Sequence, residues 1–189
     1  MTNRRRIPCP NHRQQGVALI TGLIFLVVLT LIAITAARMA GLEERMSGNL
    51  RDRSLAVQAA ETALRDAERD IRGGAGITRA PPISGLSGFG PACTNGLCYN
   101  GIAGNANSTD WNVTPVWSLV DMTAAPSVAY GDFTGAADIP GLSAQPRYII
   151  EGVKKEVFGS GPVHFYRITV RAQGANPNTV VWLQEVFRL

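Results

Sequence analysis

Two hydrophobic patterns follow one another in the first third of the chain. From Val17 to Ala37 no charged residue occurs. At 1.5 Å rise per residue that run spans about 31 Å as a helix, close to the roughly 30 Å of a bilayer's hydrocarbon core. Beyond Arg38 the pattern turns from continuous to periodic. Leu42, Met46 and Leu50 recur every fourth position, then Val57, Ala60, Leu64, Ala67 and Ile71 every third or fourth, which places them on one stripe of an α-helix. Glu61 and Arg65 stand at i,i+4 in the favourable order, and no proline lies between Pro10 and Pro81, so nothing forces a break. The spacing predicts one helix from Val17 to about Arg72, roughly 80 Å long. Gly41 and Gly48 each weaken it by about 1 kcal/mol relative to alanine, which makes the juxtamembrane turns supple. Gly73 and Gly74 supply the stop, after Arg69 and Arg72, cations suited to a helix C-terminus. The outer half is alanine-rich and lacks the sustained leucine seam of a coiled-coil stalk, so its stripe suits the face of a sheet.

The end of the chain reads as strands. Residues 147–153, 163–174 and 179–189 are rich in β-branched and aromatic side chains, and "GANPNT" connects the last two. In the middle segment Val163, Phe165, Arg167, Thr169 and Arg171 alternate with His164, Tyr166, Ile168, Val170 and Ala172, and the apolar set changes phase near Arg167. A bulge and burial on both faces each account for that change. The prediction is α+β: a three-stranded antiparallel sheet with one face covered by the amphipathic half-helix. Residues 75–145 are full of Gly, Pro, Ser, Asn and Ala, with short strands expected around Trp111 to Val120 and Ser127 to Phe133. An irregular stretch of that length signals functional loops.

Charge changes the picture at the N-terminus. The net charge is +4, but four of the 18 basic residues, Arg4, Arg5, Arg6 and Arg13, precede Gly16 and no acid does, so the remainder carries 14 of each sign. The body of the protein therefore has no basic surplus for nucleic acid, and it has no basic–aromatic cluster of the kind that stacks bases. Arginines crowd the N-terminal side of the apolar run, while Arg38 and Arg45 mix with Glu43 and Glu44 beyond it. The positive-inside rule puts the N-terminus in the cytoplasm and the rest outside. A cleaved secretory signal also has a basic start and an apolar stretch. Here the run exceeds the usual h-region of roughly 7–15 residues, the small-residue candidate "ITAARMA" contains Arg38, and the helical pattern continues past the membrane edge.

The cysteines divide in the same way. Cys9 lies in the basic leader, whereas Cys93 and Cys98 form an even pair in "CTNGLC", and in an oxidising space a local disulfide is the expectation. Zinc is the competing reading, but His164 is the only histidine outside the leader and no second Cys pair exists. His164 would also have to serve any Ser/His/Asp triad, and no G-x-S-x-G, P-loop, H-E-x-x-H or dinucleotide fingerprint occurs. Asp110, Asp121, Asp132 and Asp138 are too far apart for an EF-hand-like loop, which leaves open only a calcium site assembled in three dimensions. Asn107, Ser108 and Thr109 have the N-x-T glycosylation form, a short match that a polar loop explains equally. No catalytic residue, metal or cofactor is assigned.

A basic leader ending in Gly16, an apolar run beginning at Val17 and a helix continuing into a β-rich head together resemble type IV prepilins. "GVALITGLIFLVVLTLI" followed by "LEERMSGNLRDRSLAVQAAETALRDAE" is similar to the N-terminal region of PilX-type minor pilins. The resemblance implies a leader at 1–16, a membrane-spanning and filament-core helix at 17–37, its amphipathic continuation at 38–72 and a head at 73–189, in the type IV pilin fold. It implies that a prepilin peptidase cuts between Gly16 and Val17 on the cytoplasmic side and methylates the new amine. Gly16 tolerates the extended backbone such a cut requires. Major pilins usually carry glutamate at the fifth mature position, thought to neutralise a neighbour's N-terminal amine, and here that position is Thr21. Thr21 offers only a hydroxyl, which suits a subunit at an end of the fibre and also suits a simple bond back to its own helix. The implied role is a non-enzymatic minor pilin that initiates assembly and stays near the tip, first in the inner membrane and then in the extracellular fibre. Its implied partners are other minor pilins, the major pilin and a tip adhesin, in a system serving twitching motility and cell adhesion. A type II secretion pseudopilin and a membrane-anchored periplasmic enzyme, receptor or binding protein are the alternatives.

Overall fold

The computed structural model describes residues 15–99, 116–157 and 161–189. Arg4, Arg5, Arg6, Cys9 and Arg13 of the leader, the triplet at 107–109, Asp110 and residues 111–115 of one expected strand lie outside the described residues. A single helix, α1, runs Gln15–Arg72, which agrees with the predicted extent. By internal contacts the chain forms two compact units, Met1–Gly48 and Asn49–Leu189.

Within the second unit α1 ends where the glycines require. Gly73 takes φ +65° and its N–H bonds the Arg69 carbonyl at 3.0 Å, a left-handed stop that glycine adopts without strain. The sheet contains β1 (Leu97–Tyr99), β2 (Val128–Ala129), β3 (Arg147–Val157), β4 (Gly161–Gln173) and β5 (Val180–Arg188). Its order is β1-β3-β4-β5, with β2 also on β3. β3, β4 and β5 are antiparallel neighbours, as the three segments predicted, whereas β1 pairs with β3 in parallel. Three corrections follow. The sheet has five strands rather than three, and the strand expected around Trp111 to Val120 is a 3₁₀ turn at Val116–Ser118 in its described part. The Ser127 to Phe133 strand shrinks to β2, because Gly131 and Gly135 take positive φ and turn the backbone away.

The register between β3, β4 and β5 runs without a bulge, so the phase change near Arg167 reflects burial on both faces. On the helix side Tyr148, Ile150, Tyr166, Ile168, Val170, Ala172 and Val181 meet Ala56, Ala59, Ala60, Ala63, Leu64, Ala67 and Ile71 of α1. Small alanines let a helix approach a sheet closely, and the aromatic and branched side chains of the strands fill the space between. On the opposite side Ile149 joins Cys93, Cys98 and Met122, with Val116, Trp117 and Val120 packed against them. Gly152 lies on the helix side, and Leu86 and Phe89 occupy the place its Cβ would take. This seats the 84–90 loop across the sheet, where Phe89 packs on Tyr166 at 5.8 Å between ring centroids and Tyr166 Oη donates to the Gly85 carbonyl at 2.9 Å.

Candidate functional site

The first unit carries the residues singled out for processing and assembly. Gly16 has open space where a Cβ would stand, and Val17 is exposed. Every large apolar side chain from Val17 to Ile34 is exposed, in a helix long and apolar enough to cross a membrane. Thr21 Oγ1 donates back to its own helix, 3.0 Å from the Val17 carbonyl and 3.1 Å from that of Ala18. Thr30 and Thr35 do the same to Val27 and Ile32, each at 2.8 Å. In hydrocarbon a hydroxyl satisfied within its own helix carries little cost. Thr21 also lines a shallow apolar groove with Ile24, Phe25 and Val28. It therefore presents a satisfied, uncharged surface where an acid would present a charge.

The head holds its irregular segment with buried polar groups from α1 and β3. Asp66 and Asp70 are buried on the sheet-facing side of the helix. Asp70 takes a two-point contact from Arg79, Nε to Oδ1 at 2.7 Å and Nη2 to Oδ2 at 2.5 Å, and a third bond from Tyr148 Oη at 3.0 Å. Arg79 Nη1 donates to the Asn95 carbonyl at 3.0 Å, and the guanidinium lies 3.8 Å from the Phe133 ring centroid. Burial and the Asp70 carboxylate push the Tyr148 hydroxyl far above its ordinary range, so it acts only as a donor. Asp66 accepts from Gly131 N–H at 3.0 Å and from the Thr134 hydroxyl. On the other face Glu151 is bound by Arg167, Nε to Oε2 at 2.7 Å and Nη2 to Oε1 at 2.8 Å, and accepts Val116 N–H at 3.2 Å. Asp52, near the start of the second unit, accepts Ala175 N–H at 2.6 Å and Asn176 N–H at 3.3 Å. The Thr179 hydroxyl first holds its carboxyl below the usual range; burial opposes it, and the Asn176 and Ala175 amides add smaller lowering effects. Cys93 and Cys98 are buried and joined in a disulfide, the pairing expected.

The PilX N-terminal family matches residues 15–65, and the family described as "Type IV pilus assembly protein PilX C-term" matches residues 94–189. The chain belongs to the PilX family. No curated protein and no solved structure matches it. PilX proteins are structural components of the type IV pilus, so this chain has a minor-pilin role and interacts with other pilus components. Its apolar helix fits anchoring in the inner membrane.

The candidate residues of this PilX protein are divided between the two units. Gly16, Val17 and Thr21 lie in the first unit, and the cysteines in the second. Asp121 accepts the N–H and hydroxyl of Thr123 at 2.7 and 2.6 Å, and Asp132 accepts Ala129 N–H at 3.0 Å. Among the described residues no three His, Cys, Asp or Glu side chains are grouped to hold a metal ion. Sequence reasoning passed over Asp66, Asp70, Arg79, Glu151 and Arg167. For the two aspartates a signal existed, since both fall beside Ala63 and Ala67 on the buried side of the helix, where an acid must be satisfied by a partner.

One surface pair reports on pH. Glu185 of β5 has its pKa raised above an ordinary 4.5, first by burial and then by a hydrogen bond and like charge from Glu68, with Arg65 opposing. A raised carboxyl pKa means that the fold favours the protonated form. Stability from this pair is present at low pH and falls as pH rises from 4.5 through the raised folded value. Glu185→Gln is therefore expected to raise the melting temperature at pH 7 and to have no such effect at pH 4. A gain of equal size at both values would show that charge is not the cause.

Proposed function

We propose that this chain is a non-enzymatic minor pilin that takes part in starting type IV pilus assembly and stays at or near the tip. The observation that carries the reading is Thr21, whose hydroxyl is spent on the Val17 and Ala18 carbonyls. A subunit inside a shaft meets the N-terminal amine of its neighbour in a low-dielectric core, where an uncompensated charge costs several kcal/mol. A chain with no carboxylate there is poorly suited to that place. It suits an end, where no earlier subunit presents an amine. The supporting steps are insertion with the N-terminus cytoplasmic, as the four leader arginines favour, and a cut by prepilin peptidase between Gly16 and Val17 with methylation of Val17. The chain then leaves the membrane into the extracellular fibre. The head presents its 75–145 loops to other minor pilins, the major pilin or a tip adhesin.

Thr21→Glu tests the end position. The substitution lies outside the unit that contains the head core, so the melting temperature of the head is expected to stay the same. Pilus number and twitching are expected to change, because a carboxylate in the apolar run must find a cation or remain protonated. Unchanged pilus number and twitching, with the variant present at normal level, would contradict the end position.

A further inference from the structure

Among the described residues the sheet ends on β5. Its nine residues pair with β4 in unbroken register, from Gln173↔Val180 to Phe165↔Arg188, and with no other strand among the described residues. An antiparallel strand points about half of its main-chain groups to each side, so β5 offers a row of N–H and C=O groups along its outer edge that no strand among the described residues pairs. Three of the usual protective devices are missing from this edge, whose charges are Arg188 and the inward-facing Glu185. "VVWLQEVFR" contains no proline and no lysine, and its register has no bulge. The outer edge of β3, at the far side of the sheet, is by contrast occupied by β1 and β2.

The side chains along the edge set the chemistry of what would add to it. On the face away from α1, Trp182 is 43 % exposed while leaning on Trp117 at 5.2 Å between centroids, and Val186 is 56 % exposed. Arg188 is exposed over the Phe165 ring, and among the described residues no carboxylate pairs with it. On the helix side Val181 is buried and Leu183 and Phe187 pack against the core. The only acid of β5, Glu185, is on that same side with Glu68 and Arg65.

We propose that β5 receives an extended segment of another pilus protein as an added strand, with apolar side chains beside Trp182 and Val186 and an acidic one beside Arg188. The inference rests on the reading of the chain as a pilus subunit. A row of free main-chain donors and acceptors selects an extended backbone, since a helix has already spent its own groups and a lipid surface has no matching row. The exposed apolar pair sets the alternate positions of the partner strand, and Arg188 sets the sign of its charge. A second copy of β5 does not supply that acid, because Glu185 is engaged on the opposite face.

The test uses the full chain in cells that assemble the pilus. A benzophenone amino acid replaces Val186, with the same group at exposed Gln58 on α1 as control. Val186 adducts are expected at about ten times the Gln58 yield, mapping to one short segment of a single pilus protein. Gln184→Lys, which charges the open edge, and Arg188→Glu are each expected to lower that yield about tenfold, Arg188→Glu without changing the melting temperature of the head, whereas Gln184→Lys also gives up the bond from Gln184 Nε2 to Thr169 Oγ1. Adducts equal to the control, adducts to lipid or to a second copy of this chain, or yields unaffected by both variants would overturn the proposal. Recovery of the chain in sheared pili is scored in parallel. A chain present there without Val186 adducts defeats strand addition alone, whereas a chain absent from pili defeats the pilus reading beneath it.

Discussion

Asp70→Ala is expected to cost the head about 3–5 kcal/mol, the usual consequence of removing one partner from a buried ion pair. The side chains of Asp70 and Arg79 are 0 % and 3 % exposed. Alanine leaves the guanidinium with only the Asn95 carbonyl and the Phe133 ring, and leaves the Tyr148 hydroxyl without its acceptor. An uncompensated cation in such a place is far worse than no cation at all. Because total stabilities lie at about 5–15 kcal/mol, this one change removes a large share. Urea unfolding of the detergent-solubilised chain, followed by tryptophan fluorescence, measures it. The double variant Asp70→Leu/Arg79→Met, which removes both charges, is expected to regain most of the loss. A loss under about 1 kcal/mol for Asp70→Ala would mean that the pair is exposed in solution.

Glu151→Ala is expected to cost a similar amount, about 3–5 kcal/mol, from the other side of the sheet. Glu151 is 0 % exposed and Arg167 13 %. The carboxylate also accepts the Val116 amide, so its removal frees the turn that brings Trp117 to Trp182 and Val116 to the disulfide cluster. This gives a second signature besides the loss of stability. Trp117 and Trp182 are expected to become more accessible to a fluorescence quencher in Glu151→Ala, while in Asp70→Ala they change only when the head unfolds. Equal quenching in the folded forms of both variants would contradict the assignment of Glu151 as the anchor of residues 116–122.

These two pairs also show why the sequence was readable at its ends and opaque in the middle. The helix, its stop at Gly73, the three long strands and the Cys93–Cys98 bond all follow from local patterns: a 3.6-residue stripe, a glycine pair, β-branched runs and an even cysteine count. Residues 75–145 have no such period, because their order comes from distant groups. Arg79 is held by Asp70 of α1, Thr134 and Gly131 by Asp66, and Val116 by Glu151, partners separated by 9 to 68 positions. β1 is three residues long and owes its extended form to β3 beside it. Propensity over so short a span says little. The phase change near Arg167 was legible as an anomaly; it comes from burial on both faces of the sheet, where Arg167 is accommodated by the buried Glu151. The open edge of β5 was not legible, because strand order is a property of the assembled sheet.

In the proposed function, one covalent event, release of the helix from its leader at Gly16, would separate a subunit able to enter a fibre from a plain membrane anchor. N-terminal sequencing of the chain from cells with and without prepilin peptidase tests it directly. A mature start at methylated Val17 is expected when the peptidase is present, and an intact leader when it is absent. The same intact leader in both cells would contradict it.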